Sequence, residues 1–365
     1  MYDHVVIYYF SGTGNARAAS HWIKEEAEQH KICTSVIEIK KHESPSIAQI
    51  SEKTLIGFCY PTHGFNAPPI VLDFVARFPK TFNNDVFLLN TRAGMKLYKI
   101  FTPGLSGLAQ WLPALFLLLK GYKCRGFRPL DLPSNWISLH PGVRVKVVES
   151  IFSRCKRITK KFTVNILNRK RVLRGWIDIP FDLFVVPIAF GYYIFGRFAL
   201  AKTFFASYTC TRCNLCVKSC PTGSIKLVND IPYWKFTCES CMKCMNQCPE
   251  RAIETVHGLT FMLWWLAFSI VPWAIIHWMV DKGWIMVAFD SFLMTLIYYA
   301  VMIITGFAIL FTGYRIFHFL LRFKIFNYLF TYTSLTKIRF WRRYFAPEKY
   351  CQKTPSGYKN PDGSG

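Results

Sequence analysis

Eight of the thirteen cysteines share one spacing, which occurs twice along the chain. Residues 210–221 read CTRCNLCVKSCP and residues 238–249 read CESCMKCMNQCP, so the pattern C-x2-C-x2-C-x3-C-P is repeated. Three thiolates on one short loop can bind three irons of a [4Fe-4S] cube, and the fourth ligand then comes from the other repeat. The spacing therefore predicts two clusters, with these ligand sets: Cys210, Cys213, Cys216 and Cys248 for the first, and Cys238, Cys241, Cys244 and Cys220 for the second.

The alternative to iron-sulfur clusters is a pair of zinc sites, because C-x2-C doublets also bind zinc. Zinc gives no reason for a repeated three-plus-one grouping that ends in proline, so the spacing favours iron-sulfur clusters. Residues 204–256 resemble bacterial-type two-cluster ferredoxins, and that resemblance implies single-electron transfer through two adjacent clusters. The other cysteines have no partner spacing, and we expect them to be buried or inert thiols: Cys33, Cys59, Cys124, Cys155 and Cys351.

A second candidate site follows the first predicted strand. Residues 4–10, HVVIYYF, are apolar and β-rich, and SGTGN at residues 11–15 then leads into a segment of helical period. Two glycines permit a tight turn, and the N–H groups that open a helix bind anions. The loop lacks the G-K-S/T of a P-loop, and Arg17 stands where a dinucleotide fingerprint needs its third glycine. The sequence thus predicts a different kind of phosphate loop.

The string YYFSGTGNARAAS resembles the phosphate loop of flavodoxins, which binds the 5′-phosphate of FMN. Two later predicted strands, TLIGFCY and DVFLLN, end in loops where flavodoxins contact the flavin, at the carboxyl ends of parallel strands. The resemblance implies a doubly wound α/β fold that binds FMN. It assigns the phosphate to Ser11, Gly12, Thr13, Gly14 and Asn15, and the isoalloxazine ring to Pro61, Thr62, His63, Gly64 and Phe65 and to Thr91, Arg92, Ala93 and Gly94.

Ala16 departs from the flavodoxin pattern, which usually places a hydroxyl after the asparagine. The change removes a donor, so FMN would bind more weakly or Arg17 would compensate; a fold that binds no flavin is the alternative. Residues 1–256 as a whole resemble the extended ferredoxins, in which a flavodoxin-like domain is fused to a two-cluster ferredoxin. Pro133, Asn135 and Trp136 fit that family's pattern but receive no chemical role from it.

Apolar residues dominate the part that follows. Residues 259–280 contain no charged side chain, and 22 helical residues cover about 33 Å, enough for a bilayer core of about 30 Å. After a D-K-G turn, residues 284–314 carry a single charge, Asp290, which is a candidate proton relay. The pattern predicts a transmembrane helical hairpin, with His277 and His318 as interface residues.

Two other apolar stretches are less suited to crossing a membrane. Residues 108–119 are too short and contain Pro113, so we expect a core helix there. Residues 183–200 are interrupted by Pro187 and Arg197, and we expect an interfacial or re-entrant helix.

The net charge of +24 is concentrated on both sides of the predicted hairpin. Residues 144–174 contain eleven basic residues and one acid, in a pattern typical of an amphipathic helix that faces anionic lipid headgroups; a solvated helix face is the alternative. No aromatic residues alternate with these charges, so we expect no nucleic-acid partner. By the positive-inside rule both flanks lie in the cytoplasm and the D-K-G turn faces outward, which predicts a multi-pass protein of the cytoplasmic membrane.

These features predict an α/β flavodoxin-like doubly wound sheet, an α+β two-cluster ferredoxin and an α-helical membrane hairpin. The expected units are an FMN-binding domain at 1–143, a basic and interfacial helical linker at 144–203, a two-[4Fe-4S] ferredoxin at 204–256, the hairpin at 259–314 and a basic cytoplasmic tail at 315–365.

The expected function is electron transfer between a cytosolic donor and a membrane-bound acceptor enzyme. One alternative is an oxidoreductase that itself reduces a quinone or lipid substrate, for which the proton donors would come from scattered residues: Asp290, His63, His140 and His257. Another is a non-redox module whose clusters only stabilise the fold.

Overall fold

The computed structural model describes residues 2–41, 45, 51, 53–81, 83–284 and 292–350. Asp290, the candidate proton relay, and Cys351 lie outside the described residues.

One sheet organises the N-terminal half of the chain. Its strands are β1 (His4–Tyr9), β2 (Cys33–Glu38), β3 (Thr54–Pro61), β4 (Asp85–Leu97), β5 (Ile100–Thr102), β6 (Lys123–Phe127), β7 (Leu130–Pro133) and β8 (Val172–Leu173). The order is β2-β1-β3-β4-β6-β8 with parallel pairing throughout, while β5 folds back on β4 and β7 pairs with its second half. The first five positions reproduce the flavodoxin-like order, which confirms the expected α/β fold class.

Four helices cover the two faces of this sheet: α1 (Asn15–Gln29), α2 (Pro69–Arg77), α3 (Leu108–Leu119) and α4 (Val145–Leu167). Helices α1 and α4 pack in one core with Val5 and Ile7 of β1, and α2 and α3 pack in the other with Val6 and Tyr8. Alternate residues of a strand point to opposite faces, so the sheet is covered on both sides. The expected core helix at 108–119 is confirmed, because Leu117 is fully buried.

Helix α4 carries the basic stretch that the sequence placed in a linker. It is amphipathic, with Val148, Ile151, Phe152 and Cys155 buried at helical spacing against α1 and the sheet. Two of its lysines form ion pairs with α1, at 2.8 Å for Lys156 to Glu25 and 3.5 Å for Lys160 to Glu26. The apolar face is thus covered by protein, and only the basic face is left for a membrane or solvent.

A bent helical segment follows the sheet. It consists of α5 (Ile179–Phe184), α6 (Val186–Gly191) and α7 (Arg197–Lys202), with a π-helical turn at Tyr192–Gly196. The two arms, Arg174–Phe184 and Val186–Lys202, meet at 76°. By length and composition the pair is compatible with a broken span or a re-entrant loop.

The cysteine-rich region forms a small α+β unit. Its elements are β9 (Phe204–Ala206), α8 (Leu215–Lys218), β10 (Ile225–Val228), β11 (Ile231–Trp234), α9 (Lys243–Gln247) and β12 (Ile253–Thr255). Strand β9 pairs with β12 and β10 with β11, both antiparallel, so the two ends of the unit meet.

The C-terminal part is helical: α10 (His257–Trp265), a π-helical turn (Leu266–Ile270), α11 (Val271–Asp281), α12 (Phe292–Leu320) and α13 (Lys324–Tyr332). Two helices, His257–Asp281 and Thr295–Leu320, are long and apolar enough to cross a membrane. They approach closely at Gly306 and Gly313, where a Cβ would lie 2.8 Å from Phe268 and 2.6 Å from Leu263. This arrangement is compatible with membrane association.

Candidate redox-cofactor site

The eight spaced cysteines line two separate cavities. Cys210, Cys213, Cys216 and Cys248 surround the first cavity, and Cys238, Cys241, Cys244 and Cys220 surround the second. In each group three thiols come from one loop and the fourth from the other repeat. The structure therefore brings together the two ligand sets that the spacing predicts. We call them the distal and the proximal cavity, because the proximal one lies against the predicted phosphate loop.

The two loops have the same backbone shape. Arg212 and Asn214 have φ of 58° and 60°, and their equivalents Ser240 and Met242 have φ of 51° and 61°. These left-handed residues curl each loop so that its three thiols point inward.

The fourth cysteines also match. Cys220 accepts a hydrogen bond from the Ser224 N–H and Cys248 one from the Ala252 N–H, both at 3.3 Å. N–H donors to thiolate sulfur stabilise negative charge and are one of the ways in which a protein sets a cluster's potential.

The geometry disfavours the zinc alternative. Within the described residues, no three His, Cys, Asp or Glu side chains converge on the position of a single ion. Burial raises the pKa of the Cys241 thiol to about 12 and that of Cys216 to about 11. These thiols need a cationic partner to exist as thiolates. Thiols that surround a cavity without converging on one point fit a cluster, which spaces its ligands further apart, better than a mononuclear metal.

The other four cysteines among the described residues line neither of these cavities. Cys59 and Cys155 are buried, and burial raises the pKa of the Cys155 thiol to about 12 and that of Cys124 to about 11. Cys33 is exposed.

The predicted phosphate loop lies at one end of a third cavity, of about 360 Å³. It is formed by the ends of β1 and β3, by the middle of β4 and by the segment after β7. Eleven of the predicted flavin residues line it: Ser11, Gly12, Thr13, Asn15, Pro61, Thr62, Gly64, Phe65, Thr91, Arg92 and Ala93. Gly14, His63 and Gly94 lie outside its lining. The sheet thus brings together residues from all three predicted segments, but only two of these are loops: residues 91–94 continue strand β4, which pairs there with β7.

The cavity has the features that FMN requires. Its volume falls within the range of small-molecule sites, and its phosphate end is the N-terminus of α1. Gly14, at φ 97°, turns the chain into the helix, and its N–H donates to the Ser11 hydroxyl at 3.1 Å. Phe65, Leu105 and Trp136 supply apolar walls for a ring. These residues fit a flavin mononucleotide, with the loop 11–16 for its phosphate.

Asn135 and Trp136 gain roles that sequence patterns did not provide. The Asn135 side-chain amide donates to the Thr13 hydroxyl at 2.9 Å. The Asn135 backbone carbonyl accepts from the Asn246 side chain of α9 at 3.4 Å. Trp136 lines the flavin cavity, and its ring lies 5.4 Å from that of Tyr192 in the bent segment, tilted by 40°. Residues 135–136 therefore connect the phosphate loop to the cysteine-rich unit and to the bent helical segment.

Arg92 is held by two carboxylates. Its guanidinium, 5% exposed, donates to Asp131 and Asp178, both at 2.7 Å. Because Asp178 belongs to the helical turn before α5, this pair also fixes the bent segment to the sheet.

Replacing Arg92 by alanine should leave two part-buried carboxylates without their partner. We expect a loss of about 3 kcal/mol in the free energy of unfolding. The matched control, Arg77→Ala, breaks an exposed pair with Asp73 and should cost at most about 1 kcal/mol. Thermal denaturation in detergent measures both, and equal losses would contradict a structural role for Arg92.

His63 is buried between Phe10 and Trp136. Its two ring nitrogens have no hydrogen-bond partner among the described residues, and burial lowers its pKa to about 4. The unfolded chain protonates His63 below about pH 6.5, whereas the folded chain does not until about pH 4. Stability therefore falls as the pH drops through this window.

We expect the wild-type protein to lose about 2 kcal/mol more than His63→Leu between pH 7 and pH 5. Denaturation midpoints of both proteins at the two pH values test this. An identical pH dependence would show that His63 is not held neutral.

The proximal cavity and the flavin cavity are in direct contact. A Cβ on Gly12 would overlap the carbonyl oxygen of Cys241, so only glycine allows the two loops to touch. Glu239, next to the ligand Cys238, accepts the Ile70 N–H at 2.8 Å and so caps α2 of the flavodoxin-like unit. On the other side, the Tyr192 ring lies against Gly64 of the second flavin loop.

A C-terminal strap, residues 341–346, closes the arrangement. The Tyr344 hydroxyl donates to the Asn15 side chain at 2.5 Å, and the Ala346 N–H donates to the Thr13 carbonyl at 2.8 Å. The Tyr344 N–H also donates to Asn246 at 2.6 Å. The strap therefore holds the phosphate loop and the ferredoxin-like unit together, within a region that the sequence suggested was only a basic tail.

Comparison with known proteins agrees with this picture for the cysteine-rich unit. Residues 207–226 match the family model of the 4Fe-4S binding domain. No curated protein gives a significant match to the sequence. The chain thus joins a flavodoxin-like fold to a ferredoxin-type 4Fe-4S motif.

Solved structures similar to this chain include oxidised Flavodoxin 1 from Bacillus cereus, at 16% identity and a TM-score of 0.29, covering 43% of this chain and 97% of that chain. A flavodoxin from the domain Archaea is 15% identical, with a TM-score of 0.26, and covers 45% and 98%. General stress protein 14 from Treponema denticola, in complex with FMN, is 12% identical, with a TM-score of 0.27, and covers 45% and 98%. At these values the fold assignment rests on the strand order.

Proposed function

We propose that this chain is a membrane-anchored electron-transfer protein that binds FMN and two [4Fe-4S] clusters. It relays electrons between a cytosolic donor and a membrane-associated acceptor enzyme. FMN exchanges one or two electrons and a [4Fe-4S] cluster exchanges one, so the pair can connect two-electron and one-electron partners.

The contact between Gly12 and Cys241 carries this proposal. It puts the loop for the flavin phosphate against the loop that supplies three proximal thiols. Asn135 and Asn246 add hydrogen bonds across the same boundary. Since the strap closes over both loops, the two redox sites are held in a fixed relation by the chain's own residues.

Within this arrangement each group of residues has a task. Loop 11–16 and the α1 N-terminus bind the phosphate, while Trp136 and Phe65 exclude water from the ring. His140 lines the flavin cavity, with its ring held between the Ser134 hydroxyl at 2.7 Å and the Pro141 carbonyl oxygen at 3.2 Å. The cysteines hold the clusters, and the N–H donors to Cys220 and Cys248 stabilise their charge.

The membrane part of the proposal is supported by contacts between the spans and the ferredoxin-like unit. The Tyr233 hydroxyl is 2.8 Å from that of Tyr314, and the rings of Phe205 and Phe317 are 5.8 Å apart. The second span is therefore packed against the ferredoxin-like unit rather than joined to it by a free tether. The basic flanks would place both ends in the cytoplasm, against anionic headgroups.

A second candidate function is supported by a separate observation. A cavity beside Cys238 opens next to α7 of the bent segment. Such a site would suit a chain that itself reduces a membrane-soluble substrate.

Purification from washed membranes tests the proposal. After expression in cells that supply iron and flavin, the protein should remain in the carbonate-washed membrane fraction. It should be purified in mild detergent with flavin, iron and acid-labile sulfide. Recovery in the soluble fraction, or with no flavin, would contradict it.

Topology is tested with a cysteine at Lys282, in the turn after α11. A membrane-impermeant maleimide added to intact cells should label Lys282→Cys and leave the exposed Cys33 unlabelled. Labelling of Cys33 alone would place the redox units on the opposite side.

A further inference from the structure

A cavity of about 260 Å³ lies at the junction of three units and belongs to neither the flavin nor the distal site. Its walls come from α2, from α7 and from the segment after β11. Cys238 and Thr222 form part of its lining, and both also line the proximal cavity. A ligand in this cavity would therefore be separated from the proximal site by a single layer of side chains.

The cavity lies beside the membrane part of the protein. Arg197 and Phe198 of its lining begin α7, and the ring of Phe195, two residues before Arg197, is 4.5 Å from that of Phe307 in the second span. Phe236, which also lines the cavity, is 54% exposed. An amphiphile could thus reach the cavity from the bilayer with its polar end in the protein.

The polar lining of the cavity contains both basic and acidic side chains. Lys41 and Arg197 are cationic, and Asp73 and Glu239 are carboxylic acids. The Nε of Arg197 and one carboxyl oxygen of Glu239 are buried without a hydrogen-bond partner among the described residues. A multiply charged phosphate would meet the Asp73 carboxylate, whereas neutral carbonyl oxygens can accept from the cations without that penalty.

The apolar lining suits a planar ring. Phe198 and Phe236 are 6.2 Å apart between centroids, in an edge-to-face arrangement at 67°, and the Arg197 guanidinium lies 4.4 Å from the Phe198 ring centroid. Aromatic walls with a few convergent donors are the usual composition of a site for a small ring compound.

We propose that this cavity binds the headgroup of a quinone-type membrane lipid. The ring lies against Phe198 and Phe236, and its carbonyl oxygens accept hydrogen bonds from Arg197 and Lys41. The assignment of the ligand class rests on the proposed function, since a redox-active lipid gains from this position only if the neighbouring thiols hold a cluster. The bilayer supplies the ligand through the side at α7.

Photolabelling of the full-length protein in detergent tests the site. A short-chain azido-ubiquinone should label the peptides that contain residues 197–202 and 236–239. Decylubiquinone should compete with the label, and phosphatidylglycerol should not. Label confined to the two spans, or displaced by phosphatidylglycerol and not by decylubiquinone, would overturn the proposal.

Two variants sharpen the test. Arg197→Gln removes a charged donor and should lower labelling about tenfold. Thr237→Trp places a large side chain at the exposed edge of the cavity and should block it. Lys123→Gln removes a charge from an exposed lysine of β6 and serves as the control. If either cavity variant were labelled as strongly as Lys123→Gln, the result would contradict the proposed binding of a quinone in this cavity.

Iron, sulfide and flavin are measured on the same samples. Full cofactor content without specific label would reject the quinone site and leave electron transfer standing. Specific labelling of a protein that never binds iron would reject the proposed electron transfer, while the proposal of a quinone-binding cavity would stand.

Discussion

Cys213→Ser is expected to lose half of the iron and acid-labile sulfide while its flavin content stays at the wild-type level. Cys213 lines the distal cavity, whose four thiols are separate from those of the proximal set. Cys241→Ser should lose the other half and also lower the flavin content, because Cys241 is in contact with Gly12 of the phosphate loop. Iron, sulfide and flavin per polypeptide measure both effects.

Cys33→Ser is the matched control, since Cys33 is exposed and lines neither cysteine cavity. It should keep every cofactor. Retention of full iron by both cavity variants would contradict the assigned ligand sets. Loss of flavin from Cys213→Ser but not from Cys241→Ser would contradict the assignment of Cys241 to the cavity nearer the flavin.

Gly12→Ala is expected to have the second large effect. The new Cβ would overlap the Cys241 carbonyl oxygen, and a backbone atom cannot move aside as a flexible side chain can. Overpacking of this kind costs about 1–3 kcal/mol, which corresponds to flavin binding weaker by about tenfold or more if the loops separate. Flavin fluorescence titration of the flavin-depleted protein measures the affinity.

Gly191→Ala makes the same substitution in α6, where a Cβ would meet no atom within 4 Å. It should bind flavin as the wild type does. Wild-type affinity in Gly12→Ala would show that the two loops are not in contact in the protein.

Sequence patterns were sufficient to predict which cysteines lie together. The ligand sets follow from cysteine spacing within 12-residue stretches, and the structure places the thiols in the same two groups. The two loops at residues 11–15 and 61–65 follow from where apolar strands end, because parallel strands present their carboxyl ends at one edge of a sheet. The loop expected at residues 91–94 is not present, because these residues continue strand β4 and pair with β7.

The role of α4 could not be read from its charge. Its basic residues suggested a membrane surface, but the apolar positions Ile151, Phe152 and Cys155 pack on the sheet beside α1. The same amphipathic period serves a protein core or a bilayer equally well. The partner is decided by tertiary packing, as the ion pair between Lys156 and Glu25 illustrates.

The strap was also beyond sequence patterns. Tyr344 is 329 residues from Asn15, and no local motif indicates that their side chains meet. Asn135 is similar, since the hydrogen bond from its side-chain amide to the Thr13 hydroxyl depends on how two distant loops converge. Such contacts arise from chain topology rather than from propensity, so they emerge only with the structure.

The contact between the flavin and proximal sites is the central claim, and flash reduction of the flavin tests it most directly. After a light pulse reduces bound flavin in the purified protein, with EDTA present as the sacrificial electron donor, absorbance of the iron-sulfur clusters should bleach as the flavin is reoxidised. The same bleaching should persist in Cys213→Ser and disappear in Cys241→Ser. Equal bleaching in both variants, or none in the wild type with all cofactors bound, would contradict the proposed path.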